Sequence, residues 1–289
     1  MLAIILALSS SLLYGVADFT GGLASRRASV LRVTGVSAVM GFVLITVSLP
    51  ILGGVWSRDA VMWGLISGVL SCFVFVTLYK CLAIGPMGIL SPIIALVGAS
   101  IPVLFAVIVG ERVSFLGWIG IALALTSVVV ISLAFDPAHH RPTTRGLLLA
   151  IVCGLIIGVL FIVISRTPAD AGSIPIVVNR AITAIVFFTA MLITVYSKRG
   201  AGGGFRSVLD TRIFPMALLA GALDTSANLL FLYATHLGML SLVAVISSLY
   251  PASTVLCARF ILKERMTRTQ LGGLGVAAVA VSLLALAQA

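Results

Sequence analysis

Asp224 and Asn228 stand one helical turn apart in GALDTSANLLFLYATHLG, residues 221–238, a run otherwise oily enough to lie in lipid. A residue and its fourth successor share a helix face, so the carboxyl and the amide present together, and Thr235 roughly extends that face. An ionisable group inside a membrane is costly and marks a functional site by default. The chemistry open to it is proton carriage, pairing with a cationic ligand, or a neutral acid hydrogen-bonded to a neighbouring helix. The same spacing recurs near the start of the chain, where Asp18 follows Tyr14 by four residues in YGVADFTGG. That pair reads as a cation-binding or proton-carrying carboxyl beside an aromatic wall, or as an ion-pair partner for Arg26, Arg27 or Arg32. Tyr79, Tyr233 and Tyr250 are candidates to stack on a ligand, against the commoner role of an interfacial tyrosine. Arg32, Arg180 and Lys80 are read as anion-binding groups or, preferentially, as charges that snorkel to the interface or brace a gate.

The elements that must position these groups follow from composition. Hydrophobic residues make up 61% of the 289 and charged residues only 9%, whereas a soluble globule carries about 25% charged residues. Apolar runs of roughly 20 residues, each enough to span a bilayer as a helix, recur along nearly the whole chain. Ten spans are expected near 2–23, 33–52, 60–83, 88–109, 115–134, 146–165, 174–196, 214–235, 239–261 and 269–288. The runs are continuously apolar, without the alternation of lipid-facing barrel strands, so the fold class is an all-α membrane protein. The first run lacks a basic leader and contains Asp18, which sets it apart from a signal peptide. Asp224 then lies about ten residues into the eighth span, near the bilayer midplane.

The net charge of +10 would suggest nucleic acid in a soluble protein; here it reports orientation. Of the 18 Lys and Arg, all but Arg58, Arg112, Arg166 and Arg180 fall in or beside the connections that follow the odd-numbered spans. The positive-inside rule places those connections in the cytoplasm and both termini outside.

The chain is written twice. At a constant shift of 153 residues (264 − 111), Gly85, Ser100 and Glu111-Arg112 fall on Gly238, Ser253 and Glu264-Arg265. At other offsets Gly15-Val16 falls on Gly158-Val159, and Arg32 on Arg180. Five spans per half is an odd number, so the second copy, 146–289, must lie inverted relative to the first, 1–135. Inverted repeats are how many secondary transporters build two interchangeable gates about a central site. Ten spans in two halves, each with a helix running into GER or KER before a Gly-containing last span, resemble the drug/metabolite transporter superfamily, specifically its EamA-type members. Arg32 and Arg180, early in the second span of each half, are similar to that family's pattern as well. Members commonly carry Trp before Gly in the first span, where this chain has Tyr14-Gly15. The resemblance implies a carrier of small organic molecules, often an exporter of the bacterial inner membrane, with a pocket lined by spans 1 to 4 and 6 to 9.

Other features point away from catalysis. The chain has no HExxH, no GxSxG and no surface cluster of acids and histidines, so it reads as not an enzyme. Cys72, Cys81, Cys153 and Cys257 stand singly in apolar runs and read as packing residues. His139 and His140 sit with Asp136 and Arg141 in a polar loop; no metal or cofactor is expected. GAGGGF at 200–205 lacks the Lys and Ser/Thr of a phosphate loop. Pro92 and Pro102 are expected to interrupt the fourth span and Pro251 the ninth, while Gly64, Gly68, Gly272, Gly273 and Gly275 should let helices approach closely. The expected function is gradient-driven transport of a small organic metabolite or drug, with protons the candidate coupling ion and Asp224 the carboxyl that carries them. A flippase-like carrier of lipid-linked groups is the alternative, and an intramembrane enzyme comes third.

Overall fold

The computed structural model describes residues 1–84, 87–133, 143–197, 213–261 and 267–287, which form eleven α-helices and one short 3-10 turn. They are α1 (Leu2–Arg27), α2 (Val30–Leu52), α3 (Arg58–Ile84), α4 (Met87–Ile108), α5 (Phe115–Leu133), α6 (Thr144–Ser165), α7 (Ile174–Ser197), α8 (Phe214–Leu237), α9 (Leu240–Ser247), α10 (Tyr250–Ile261) and α11 (Arg268–Ala287). Among the described residues nine spans, with α9 and α10 together making one, are long and apolar enough to cross a membrane, and α5 is a shorter tenth. Helices suit this solvent because each satisfies its own backbone hydrogen bonds where lipid offers none. The histidine pair at 139–140, the 200–205 glycine run, Gly85, Lys263, Glu264 and Arg265 lie outside the described residues.

The two halves pack as inverted copies. Helix α1 lies along α8 as α6 lies along α3, α3 meets α7 as α8 meets α2, and α4 crosses α6 as the α9–α10 span crosses α1. The pairs α2–α7, α4–α9 and α5–α11 are each their own counterpart. Small residues make this exchange of contacts possible. A side chain at Gly15 would strike the Tyr250 carbonyl of α10, while one at Gly158, its repeat partner, would lie 3.0 Å from the Gly98 carbonyl of α4. Gly68 against α7 and Gly221 against the Ser37 carbonyl of α2 form a second such pair. Without a hydrophobic force between helices in lipid, contacts this close supply the van der Waals packing that holds them.

Two sequence expectations are corrected. Pro92 and Pro102 lie inside α4, which runs unbroken through both. Only Pro251 divides its span: it lacks the N–H that would reach the Ser247 carbonyl, and the helix stops at Ser247 and restarts at Tyr250. Of the last-span glycines, only Gly273 approaches a neighbour, Ile131 of α5; Gly272 and Gly275 face open space.

At the face that carries both termini, hydrogen bonds tie the halves together. Glu111, just past α4, accepts at 3.1 Å from the Ser241 N–H in the first turn of α9, where the helix dipole favours a carboxylate. Ser173 Oγ, ahead of α7, donates to the Gly53 carbonyl at the end of α2 at 2.8 Å. On the same face, within the second half, His236 at the end of α8 donates to the Thr167 carbonyl at 2.9 Å.

Candidate functional site

Between the halves lies a cavity of about 50 Å³, room for a few ordered waters. Helix α1 contributes Tyr14, Ala17 and Asp18; α3 contributes Ser71, Val74, Phe75, Leu78 and Tyr79; α6 contributes Ile157, Leu160 and Phe161. Arg180 enters from α7, Asp224 and Asn228 from α8, and Tyr250 from α10. Six spans therefore meet at one centre, and most of the lining is apolar or aromatic.

The charges are arranged asymmetrically on this symmetric frame. Arg180 Nη2 lies 2.8 Å from Asp224 Oδ2. The other carboxylate oxygen, Oδ1, accepts from Asn228 Nδ2 at 3.3 Å, and the same amide donates to the Asp224 carbonyl at 2.8 Å. Thus Asn228 and Asp224 do share a face, and the amide orients the acid. Arg180 is 2% exposed and stacks its guanidinium 5.7 Å from the Phe75 ring centre. Arg180 therefore does not snorkel to the interface; a bracing charge is the other reading preferred for it from the sequence. A buried guanidinium is tolerable because the carboxylate opposite supplies the counter-charge.

Asp18, half-buried on the cavity wall, has no ion-pair or hydrogen-bond partner among the described residues. Under the repeat that matches Gly15 with Gly158, its counterpart on α6 is Phe161, which stacks on Phe231 at 4.2 Å and meets Tyr14 at 6.2 Å. A carboxyl in one half thus corresponds to an aromatic ring in the other.

The remaining candidates divide. Tyr79 is 2% exposed and lines the cavity beside Phe75, 5.9 Å between ring centres. The hydroxyl of Tyr250 donates to the Ser91 carbonyl at 3.4 Å, tying α10 to α4. Lys80 is exposed, and neither it nor Arg32, in the first turn of α2, nor Tyr233 lines the cavity. Arg32 and Arg180 accordingly differ in place, one off the cavity and one in it, despite their similar positions in the repeat. Sequence reasoning missed Asn179, which is buried and donates to Ser67 and Ser71, each at 3.0 Å, fixing α7 to α3 beside the cavity. Its signal was readable, since an amide next to Arg180 in an apolar span is costly. Phe75 and Phe161 carried no such signal, as phenylalanine is unremarkable in any span.

The model of the EamA-like transporter family matches residues 1–133 and 144–286, one match to each half. The chain belongs to the EamA-like transporter family. This EamA-like transporter is therefore a multi-pass membrane carrier of the drug/metabolite transporter superfamily, and its family is one of transporters rather than enzymes. A solved structure titled "Crystal structure of protein" superposes with a TM-score of 0.70 at 13% identity, covering 98% of this chain and 96% of that one. At that identity the likeness speaks for the fold alone. None of the curated proteins matches this EamA-like transporter.

Proposed function

We propose that this EamA-like transporter exports a small organic molecule across the cytoplasmic membrane by alternating access, driven by an ion gradient. The observation that carries the reading is the charged set Asp18, Arg180 and Asp224 gathered in a cavity between two inverted halves. Such a site, with binding groups at the repeat interface, suits a carrier that opens to one face and then the other by moving one half against its partner. The proton is the coupling ion in this reading, exchanged at the carboxyls of Asp18 and Asp224. Asp224 is held by Arg180 and Asn228 in the state observed, so proton exchange there needs that pair to part, whereas Asp18 has no such partner among the described residues. The charge bias in the connections supports cytoplasmic odd-numbered loops and termini on the outer face.

Proteoliposomes loaded with a mixture of small metabolites, and followed by mass spectrometry of the external medium, test this. The expected result is selective release of one or a few compounds, faster under an imposed pH gradient. Release equal to that from protein-free vesicles would overturn it. Accelerated movement of labelled phospholipid between leaflets would favour the lipid-carrier alternative instead.

A further inference from the structure

We propose that the central cavity takes a monovalent organic cation with an aromatic or apolar body, its ammonium group on Asp18 and its body among Tyr14, Phe75, Phe161 and Tyr250. The inference rests on the transporter reading and names the class of molecule that site accepts.

Charge accounting comes first. The lining holds two acids and one base, and the base is committed: Arg180 lies 2.8 Å from Asp224. What is left is the carboxylate of Asp18, without a partner among the described residues. In a low-dielectric site a lone carboxylate is costly, and the group that favours its ionised form is one positive charge beside it, which interacts there several-fold more strongly than in water. An anion would meet Asp18 as a like charge. A zwitterion would have to share the Nε–H of Arg180, which has no partner, without loosening the pair to Asp224.

The walls add the second argument. Four aromatic residues besides Tyr79 line the cavity with Asp18, and aromatic faces attract cations while burying apolar surface. Phe161 occupies on α6 the place of Asp18 on α1, so the inverted frame offers a charged wall and a ring wall across one cavity. A primary amine with an aromatic tail matches both walls, in a state where the halves have parted and the site is wider than the cavity of about 50 Å³ seen here.

The test uses three compounds of similar shape: 2-phenylethylamine as cation, phenylalanine as zwitterion and 3-phenylpropionate as anion. Binding to the full chain in lipid nanodiscs is measured by titration calorimetry at neutral pH. The amine should bind tightest and the anion not at all. Asp18→Asn should weaken amine binding by about tenfold or more, the loss of one charged hydrogen bond. Asp18→Glu, which keeps the charge, should retain binding within roughly threefold and guards against a merely misfolded variant. Amine binding unchanged in Asp18→Asn, tighter binding of phenylalanine or phenylpropionate, or no amine binding by the wild type would each overturn the proposal. Transport is read separately in proteoliposomes: an amine that binds through Asp18 yet never crosses leaves the ligand class standing and removes the transporter reading.

Discussion

Arg180 on α7 and Asp224 on α8 meet at 2.8 Å inside the second half of the chain, with the guanidinium 2% and the carboxylate 20% exposed. The pair joins two helices that both cross α2 of the first half, α7 also packing on α3 and α8 along α1. It therefore belongs as much to the architecture of the site as to its chemistry.

Breaking that pair from either side should cost stability. Arg180→Met strands the acid and Asp224→Leu strands a buried guanidinium, each destabilising by about 3 kcal/mol. The double substitution should recover most of the loss, since neither charge is then left uncompensated. The temperature at which half the detergent-solubilised protein aggregates is the readout. A loss in the double variant equal to the sum of the two single losses would show that the two side chains are not coupled in this way.

If Asp224 carries the coupling proton, Asp224→Asn should abolish accumulation driven by a pH gradient while leaving exchange of substrate across the membrane. Because that substitution also removes the charge opposite Arg180, it is to be compared with Arg180→Gln/Asp224→Asn, in which no unpaired charge is left. Gradient-driven accumulation at the wild-type rate in the double variant would shift the coupling role to Asp18.

The glycines of the last span make a sharp contrast. Gly273→Ala places a methyl 2.6 Å from Ile131 Cγ1, which overpacks the α5–α11 contact at a cost of about 1–3 kcal/mol. Gly272→Ala and Gly275→Ala meet nothing within 4 Å and gain helix propensity. In a thermal-stability assay Gly273→Ala should fall and the other two should hold or rise. A loss at Gly272 or Gly275 would point to a contact outside this chain.

Accessibility offers a further check on the cavity. In a background with Cys72, Cys81, Cys153 and Cys257 replaced, cysteines at Tyr14, Asp18, Tyr79 and Asn228 should react with a small water-soluble thiol reagent. Bound substrate should protect them. Uniform inertness at all four positions would place these faces against protein or lipid rather than on a transport path.

Orientation is tested at the chain ends. A C-terminal alkaline phosphatase fusion should be active and a green fluorescent fusion dark, as expected for termini on the outer face. The reverse pattern would invert the assignment of cytoplasmic loops and leave the ten spans unaffected.

Much of the fold was legible in the chain because lipid imposes a simple rule. Continuous apolar runs of bilayer length become helices, since no other local structure satisfies the backbone there. The shared Glu-Arg after spans 4 and 9 exposed the repeat, and an odd number of spans per half implied its inversion. Proline was a poorer guide. Whether a missing N–H ends a helix depends on what surrounds the freed carbonyl, so α4 absorbs Pro92 and Pro102 while Pro251 separates α9 from α10.

By itself, then, the sequence determined the class of solvent, the number of spans, the duplication and the few polar residues worth suspecting, because each depends on local composition or on self-similarity. Tertiary structure alone decided their partners. Arg180 and Arg32 look alike along the chain, but Arg180 sits in the cavity across from an acid, 44 positions away (224 − 180) and on another helix, whereas Arg32 lies off the cavity. Asp18 and Asp224 look alike as well, yet one is paired and the other faces the cavity without a partner among the described residues. A charge's role in low dielectric is set by its nearest opposite charge, and proximity across helices is a property of packing that no single span contains.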